Sequence, residues 1–293
     1  MDNSNLAVRM KEFYENVPKT NLMRRTPVVI RIDGKAFHSF TKGFKRPFDE
    51  VLIKTMQETT KYLCENIQGC VLGYTQSDEI SLVLIDYQKF ETSAWFDYEV
   101  QKMCSIAASM ATMAFNKFFE RNIENFIQDC ATDYETQGLC GEGTVECELC
   151  KTYQKAIEKG AMFDARCFNI PKEEVTNLIY WRQLDASRNS IQMVGQANFS
   201  HKELQNKSCN DIQDMLMLQK NINWNDFPTY QKRGSCIVKS DERETITEDN
   251  IGTDGSITGT KMTVRSKWII DKEMPILKGE DRAYIDNLVY IGE

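Results

Sequence analysis

The chain has 293 residues, of which 41% are hydrophobic and 27% charged, an ordinary balance for a globular protein. Its net charge of -7 argues against a dedicated nucleic-acid coat protein, which would usually be basic. It leaves room for an enzyme that holds RNA through a local basic patch. The sequence has no apolar stretch of about 20 residues and no apolar signal-peptide core at its polar N-terminus, so we expect a cytoplasmic protein without membrane contact.

The first part of the chain alternates between helix and strand patterns. Apolar residues at helical spacing predict a helix within 5–25, which Thr26-Pro27 ends. The patterns that follow predict a strand at 28–33, a helix opening at Pro47 and ending at Gly69, strands at 70–75 and 79–86, and a helix along 100–118. This order begins a ferredoxin-like βαββαβ unit, so we expect an α+β fold.

The second part of the chain predicts the last strand of this unit and an extension. Residues 161–168 return to strand-like sequence and supply that strand, and Pro171 opens another helix. We expect 189–220 to be helical with short breaks and 235–291 to form strands and loops. The domains predicted are a catalytic part, 1–121 and 161–293, and a polar insertion, 122–160.

The insertion carries four of the ten cysteines, Cys130, Cys140, Cys147 and Cys150. A chain this long without an export signal favours free thiols or a metal over disulfides. The pair Cys147-Glu148-Leu149-Cys150 has the spacing of a zinc knuckle, and Cys130 and Cys140 would complete a tetrahedral site. Two interpretations stay open, a structural zinc site and four exposed thiols.

Two short acidic motifs stand at the ends of strand patterns. Asp33-Gly34 follows an apolar run, and Asp78-Glu79 precedes another. A lone aspartate after a strand is usually a turn or cap residue. Carboxylates at the end of one strand and the start of another, however, converge on one edge of a sheet, where adjacent acids are costly unless cations balance them. The motifs therefore predict two Mg²⁺ ions over a nucleoside triphosphate, because hard cations take oxygen ligands.

The loop after Gly34 combines backbone donors with positive charge. Its N–H groups are suited to cradle a triphosphate, with charge from Lys35, Lys42, Lys45 and Arg46. The alternative is a solvated loop whose phenylalanines enter the core, and the two interpretations are compatible because alternate residues face opposite ways.

Five blocks of the sequence resemble the signature motifs of the tRNA-His guanylyltransferase family. They follow in the same order and lie at 31–40, 46–49, 73–81, 180–189 and 228–234. The resemblance implies a polymerase-like palm that adds nucleotides to the 5′ end of tRNA in the 3′-to-5′ direction. It also implies Mg²⁺, with ATP and GTP as substrates, and a homotetramer.

The resemblance also assigns roles to residues. Asp33, Gly34 and Asp78 would hold the metals, and Asp33, Asp78 and Glu79 are the catalytic residues it implies. The nucleotide-binding residues that it implies are Asp33, Gly34, Lys35, Ala36, Phe37, His38, Arg46, Ser77, Asp78 and Asn189. Arg46 stands where the family usually has a lysine, which keeps the charge but changes the donor geometry.

One block departs from the family pattern. Members specific for histidine tRNA commonly carry His-Ile-Asn-Asn where this chain has Ser187-Arg188-Asn189-Ser190. The chain therefore resembles the guanylyltransferase-like branch, which repairs 5′-truncated tRNAs against a template base. Lys232 and Arg233, after Pro228, are expected to contact the tRNA backbone.

Two alternative functions are a nucleotide cyclase and a catalytically silent tRNA-binding protein. A nucleotide cyclase uses the same palm with paired acids and metals, but these blocks match it poorly. A catalytically silent tRNA-binding protein would be expected to have lost its palm carboxylates, and Asp33 and Asp78 are intact.

Overall fold

The computed structural model describes residues 4–136, 148–251 and 257–291, and it describes the side chains at these positions except 130–136, 241–251 and 257–265. The strands are β1 (Val28–Gly34), β2 (Cys70–Gln76), β3 (Glu79–Leu84), β4 (Phe163–Asn169), β5 (Ser235–Ile251) and β6 (Ile257–Asp271). The helices are α1 (Asn5–Met10), α2 (Phe37–Phe40), α3 (Glu50–Asn66), α4 (Val100–Thr136), α5 (Glu148–Lys159), α6 (Lys172–Asn198), α7 (His201–Leu204), α8 (Cys209–Lys220), α9 (Thr229–Arg233) and α10 (Ala283–Val289).

The strands form one antiparallel sheet in the order β4-β1-β3-β2-β5-β6. Its first four strands, with α3 between β1 and β2 and α4 between β3 and β4, make up the predicted βαββαβ unit. The α+β class and this unit are confirmed. Alternate residues of β1 point to opposite faces of the sheet, so Val28, Ile30 and Ile32 enter the main core while Arg31 and Asp33 share the other face.

Several predicted boundaries are wrong. The helix expected from Pro47 begins at Glu50, because the side chain of Asp49 accepts a hydrogen bond of 2.9 Å from the Leu52 N–H and caps the first turn. The helix expected across 5–25 is limited to α1 and a π-helical turn at Lys11–Glu15, neither of which has a buried residue. The tail expected as strands and loops ends in α10, whose Ile285 and Val289 are buried.

The segment predicted as an insertion contains the last part of α4 and the whole of α5. α4 continues to Thr136, and α5 packs Tyr153 and Ala156 into the main core. The domain division remains a prediction. Cys140 and Cys147 lie outside the described residues, as does the side chain of Cys130, so the zinc site remains a prediction too.

Among the helices that the structure describes, none is long and apolar enough to cross a membrane.

Candidate active site

The two acidic motifs meet at one end of the sheet. The backbone N–H of Gly34, at the end of β1, donates a hydrogen bond of 3.1 Å to the carbonyl oxygen of Asp78 in the turn between β2 and β3. Asp33 stands opposite Glu79 on β3 and opposite Asp164 on β4. The convergence expected from the sequence is therefore present.

Asp78 lies in an environment that disfavours its charge. Burial raises the pKa of its carboxyl, and the nearby charge of Asp33 acts in the same direction. The Ser77 hydroxyl, 3.0 Å from Asp78 Oδ1, opposes that shift. Among the described residues no lysine or arginine forms an ion pair with Asp78, and Asp33 has one only with Arg166, at 4.0 Å. A cation at this point would balance both carboxylates.

The oxygens at this point fit a magnesium ion that is shared with a nucleotide. Within the described part of the chain, no cluster of three or more acidic, histidine or cysteine side chains could hold a metal alone. Mg²⁺ in nucleotide sites usually takes one or two carboxylates and completes its shell with phosphate oxygens and water. Asp33 and Asp78 would supply the carboxylates, and the backbone carbonyl of Gly34, the residue after Asp33, would be a further oxygen ligand.

A cavity of about 480 Å³ opens beside Asp78. It is lined by Gly34, Ala36, Phe37, His38, Thr41, Phe44, Lys45, Arg46, Pro47, Asp49, Leu52, Ser77, Asp78, Met193 and Gln196. Most of the nucleotide-binding residues that the resemblance implies are among them. Lys45 and Arg46 are exposed at the cavity, where they add positive charge.

Three of the implied nucleotide-binding residues are not in this lining. Asp33 lies beside this cavity, on the face of the sheet that also carries Arg31, and its side chain is 48% exposed. The N–H of Lys35 donates 2.8 Å to the Met162 carbonyl, so this donor is not available for phosphate. Asn189 lines a smaller neighbouring cavity of about 90 Å³ that shares Ser77 and Met193 with the first.

The loop after β1 is held to the core by its aromatic residues. Ala36 adopts a left-handed backbone conformation with φ of 54°, which turns the chain into α2. The buried rings of Phe37 and Phe40 pack 5.1 Å apart and contact Phe115 of α4. Both interpretations of this loop from the sequence are thus compatible with the structure, since Phe37 enters the core while the loop also lines the cavity.

Glu79 has different neighbours from Asp78. Its carboxylate forms ion pairs of 2.8 Å with Arg31 of β1 and with Arg182 of α6. Burial raises the pKa of Glu79, while the charges of Arg182 and Arg31 lower it. Arg182 also binds Asp185 at 2.8 Å, and Asp185 binds Arg188. Two arginines therefore balance the charge of Glu79 on the face of the sheet that α6 covers.

The comparisons with known proteins agree with this geometry. A sequence profile described as tRNAHis guanylyltransferase matches residues 7–171, which is more than half of the chain. The chain belongs to the tRNA-His guanylyltransferase family. The resemblance read from the sequence motifs is thereby confirmed, and members of this family are nucleotidyltransferases.

Individual relatives of the family match over most of their length. A bacterial tRNA(His) guanylyltransferase-like protein in complex with ATP is 39% identical, with a TM-score of 0.72 over 98% of this chain and 100% of that one. Such a protein in complex with GTP is 36% identical, with a TM-score of 0.68 over the same shares. The tRNA(His) guanylyltransferase of Saccharomyces cerevisiae is 26% identical over 73% of this chain and 83% of its own length.

One expectation about the family's last block is wrong. Lys232, expected to contact the tRNA backbone, is only 9% exposed, and its Nζ donates 2.5 Å to the Asn225 carbonyl. Burial lowers the pKa of this lysine. The carbonyl of Arg233 accepts a hydrogen bond of 2.6 Å from the Tyr74 hydroxyl. Lys232 therefore holds α9 to the turn at Trp224–Asp226, and the backbone of Arg233 holds it to Tyr74 of β2. A contact between the Arg233 side chain and tRNA stays a prediction.

The sequence reasoning missed several residues of the site. Asp49 lines both cavities, and its position three residues before Leu52 at the start of a helical pattern is the signal of an N-cap. Met193 and Gln196 follow Asn189 at spacings of four and seven, so a helical projection of the tRNA-His guanylyltransferase block would have placed them on one face. No comparable local signal marks Thr41 or Phe44.

Proposed function

We propose that this protein is a 3′-to-5′ nucleotidyltransferase that adds GTP, or nucleotides selected by a template base, to the 5′ end of tRNA. The observation that carries the proposal is the meeting of Asp33 and Asp78 beside a cavity of about 480 Å³ with exposed basic residues. Membership of the tRNA-His guanylyltransferase family and the likeness to proteins complexed with ATP and with GTP support it.

The proposed reaction has an activation step and a transfer step. The 5′-monophosphate oxygen of the RNA attacks the α-phosphorus of ATP, pyrophosphate leaves, and an adenylylated RNA end forms. The 3′-hydroxyl of the incoming nucleotide then attacks the RNA 5′-phosphorus, and AMP leaves. An RNA that already has a 5′-triphosphate omits the first step and releases pyrophosphate in the second.

The chain's own groups bind and position these reactants. The segment from Gly34 to His38, with Ser77, would contact the triphosphate, and Lys45 and Arg46 would offset its negative charge. Asn189 would bind the nucleotide from the neighbouring smaller cavity. We assign Glu79 a positioning role, because its contacts are with Arg31 and Arg182. Electrostatic stabilisation and orientation then account for the catalysis without a protein general base.

Magnesium held by Asp33, Asp78 and the Gly34 carbonyl would lower the pKa of the attacking hydroxyl and neutralise the leaving phosphates. This ligand set is part of the proposal. The structural zinc of the cysteine-containing segment, a homotetrameric assembly and a cytoplasmic location are also proposals, for which metal analysis, light scattering and microscopy are the respective tests.

The decisive experiment is 5′ extension of RNA. The full chain is incubated with Mg²⁺, ATP, labelled GTP and a tRNA that lacks its first nucleotide, and the product is resolved on a sequencing gel. We expect one or more added nucleotides, and we expect none when EDTA replaces Mg²⁺. Absence of extension alongside an active enzyme of the same family would refute the proposal.

A pair of aspartate variants tests the metal ligands. Asp78→Asn keeps the backbone carbonyl that Gly34 binds but removes one carboxylate charge, so extension should fall by at least about 100-fold. Asp214→Asn, at an exposed position of α8 outside both cavities, is the matched control and should keep full activity. Extension retained by Asp78→Asn would reject the metal assignment. Formation of a cyclic nucleotide would favour a nucleotide cyclase instead. RNA binding without extension would favour a catalytically silent tRNA-binding protein.

A further inference from the structure

Trp181 of α6 is an exposed aromatic ring beside the acidic end of the sheet. It is 51% exposed, whereas Trp95 and Trp268 are buried. Leu184 and Arg188 follow it at spacings of three and seven on the same helix, and both are exposed. A large apolar ring is usually buried, so an exposed indole beside the proposed reaction site suggests that it contacts a bound molecule.

Two arginines support the ring from the protein side. The guanidinium carbon of Arg182 lies 4.5 Å from the ring centroid, and that of Arg31 lies 5.5 Å from it. Both guanidiniums bind Glu79, whose side chain is only 11% exposed, so they lie on the buried side of the indole. The ring is thereby held by cation–π contacts on one side and left open on the other.

The ring is adjacent to the proposed metal site. Arg31 and Asp33 point to the same face of β1, about 6.6 Å apart along the strand. Arg166 stands directly opposite Arg31 on β4 and has a half-exposed side chain. A phosphate that reacts at Asp33 would therefore have Trp181 and Arg166 within the span of one nucleotide.

A nucleotide bound in the larger cavity would not contact this ring. Trp181 lines neither cavity, whereas Met193, also on α6, lines both. At 1.5 Å of rise per residue, these residues lie about 18 Å apart along the helix. The open face of the indole instead meets whatever approaches Asp33 from outside the cavity, which in the proposed reaction is the RNA end.

We propose that the open face of Trp181 stacks on the terminal nucleobase of the RNA whose 5′ phosphate reacts at Asp33 and Asp78. The inference rests on the proposed function and adds a subsite to it. Stacking accepts any base, because every base presents a π face, so this contact would hold RNA ends of different sequence. Trp181 is then a positioning residue, with Glu79 and its arginines as its support.

Binding of an RNA that cannot react tests the contact apart from the chemistry. The probe is a fluorescein-labelled acceptor-stem hairpin with a 5′-hydroxyl end, titrated with the full chain in a fluorescence anisotropy assay. Trp181→Ala should raise Kd by about 5- to 150-fold, the range for loss of one base–aromatic stack. Trp181→Phe should keep most of the affinity. Phe90→Ala, which removes another exposed ring, is the matched control and should bind as the wild type does.

A second probe separates stacking from a structural effect. The same hairpin with an abasic terminal nucleotide should bind the wild type as weakly as the intact hairpin binds Trp181→Ala, and Trp181→Ala should not distinguish the two probes. The slope of log Kd against log salt should stay unchanged in Trp181→Ala, because no phosphate contact is lost. The inference would be overturned if Trp181→Ala and the abasic nucleotide each weakened binding and their effects added when the two were combined. Equal Kd values for the wild type and Trp181→Ala would overturn it as well.

The remaining outcomes are also informative. A change in the molar mass of Trp181→Ala by light scattering at equal concentration would mean that the ring contacts a second copy of the chain, which rejects the stacking. If the wild type extends RNA but binds the intact and the abasic hairpin equally well, the stacking inference is rejected and the proposed function is retained. Failure of the wild type to extend RNA, with the expected binding results, rejects the proposed function and retains the stacking site. The unfolding midpoint of each variant in urea shows that it is folded.

Discussion

The hydroxyl of Tyr153 donates a hydrogen bond of 2.7 Å to Oδ2 of Asp49. The same carboxylate caps α3 through the Leu52 N–H and accepts a hydrogen bond of 3.0 Å from the Lys45 N–H in the loop that lines the larger cavity. α5 therefore supports the wall of the larger cavity through the buried phenol of Tyr153.

Tyr153→Phe tests this support. The change removes one hydrogen bond to a buried charge while keeping the ring among the aromatic residues of the core, so the free energy of unfolding should fall by about 2 kcal/mol. We also expect a higher KM for the nucleotide, since Asp49 and Lys45 line its cavity. Urea unfolding and steady-state kinetics measure the two effects. Tyr62→Phe is the control, because among the described residues the Tyr62 hydroxyl makes no hydrogen bond, and an equal loss in both variants would contradict the prediction.

The position of Tyr153 also shows where sequence reasoning reached its limit. The strands β1 to β3 and the meeting of Asp33 with Asp78 followed from local patterns, because alternation and a short hairpin determine which ends lie together. The neighbours of Tyr153 in the sequence are polar, and its burial depends on α4 and on Asp49, about a hundred residues earlier in the chain. The partners of Glu79 and the burial of Lys232 likewise depend on long-range pairing that no local spacing records.

Gly34 is a site where a single added carbon should disrupt the loop after β1 that lines the larger cavity. A Cβ on this residue would lie 2.2 Å from the Phe37 ring, which is itself fixed in the core. Gly34→Ala should therefore lower the free energy of unfolding by about 1 to 3 kcal/mol, as expected for overpacking, and weaken nucleotide binding. Calorimetric titration with ATP and urea unfolding check both. In a Phe37→Leu background the same change should cost less, and an unchanged cost would show that the ring is not the obstacle.

Glu203, at the start of α7, makes a pH-dependent contribution to the stability of the folded protein. The hydroxyl and the backbone N–H of Ser200 both donate to its carboxylate, and they lower the pKa of Glu203 below the ordinary value. A lowered pKa favours the ionised form in the folded state, so this stabilisation is present above the ordinary glutamate pKa of about 4.3 and disappears as the pH falls through the lowered value. Thermal melts should show Glu203→Gln less stable than the wild type at pH 7 and equal to it in strong acid. A difference that persists in strong acid would contradict this cause.

Replacing the Glu79 carboxylate should destabilise the folded protein more than replacing an exposed glutamate such as Glu65. Glu79 is 8% exposed and balances Arg31 and Arg182, so Glu79→Gln leaves Arg182 with Asp185 alone and removes the one ion pair that Arg31 makes among the described residues. We expect the free energy of unfolding to fall by about 3 kcal/mol. Extension should fall with it, because Arg31 and Arg182 would no longer be fixed beside Trp181. Glu65→Gln removes a more exposed pair with Lys61 at 3.8 Å and should cost at most about 0.5 kcal/mol. A Glu79→Gln variant with wild-type stability and no extension would instead indicate that this carboxylate acts on the substrate directly.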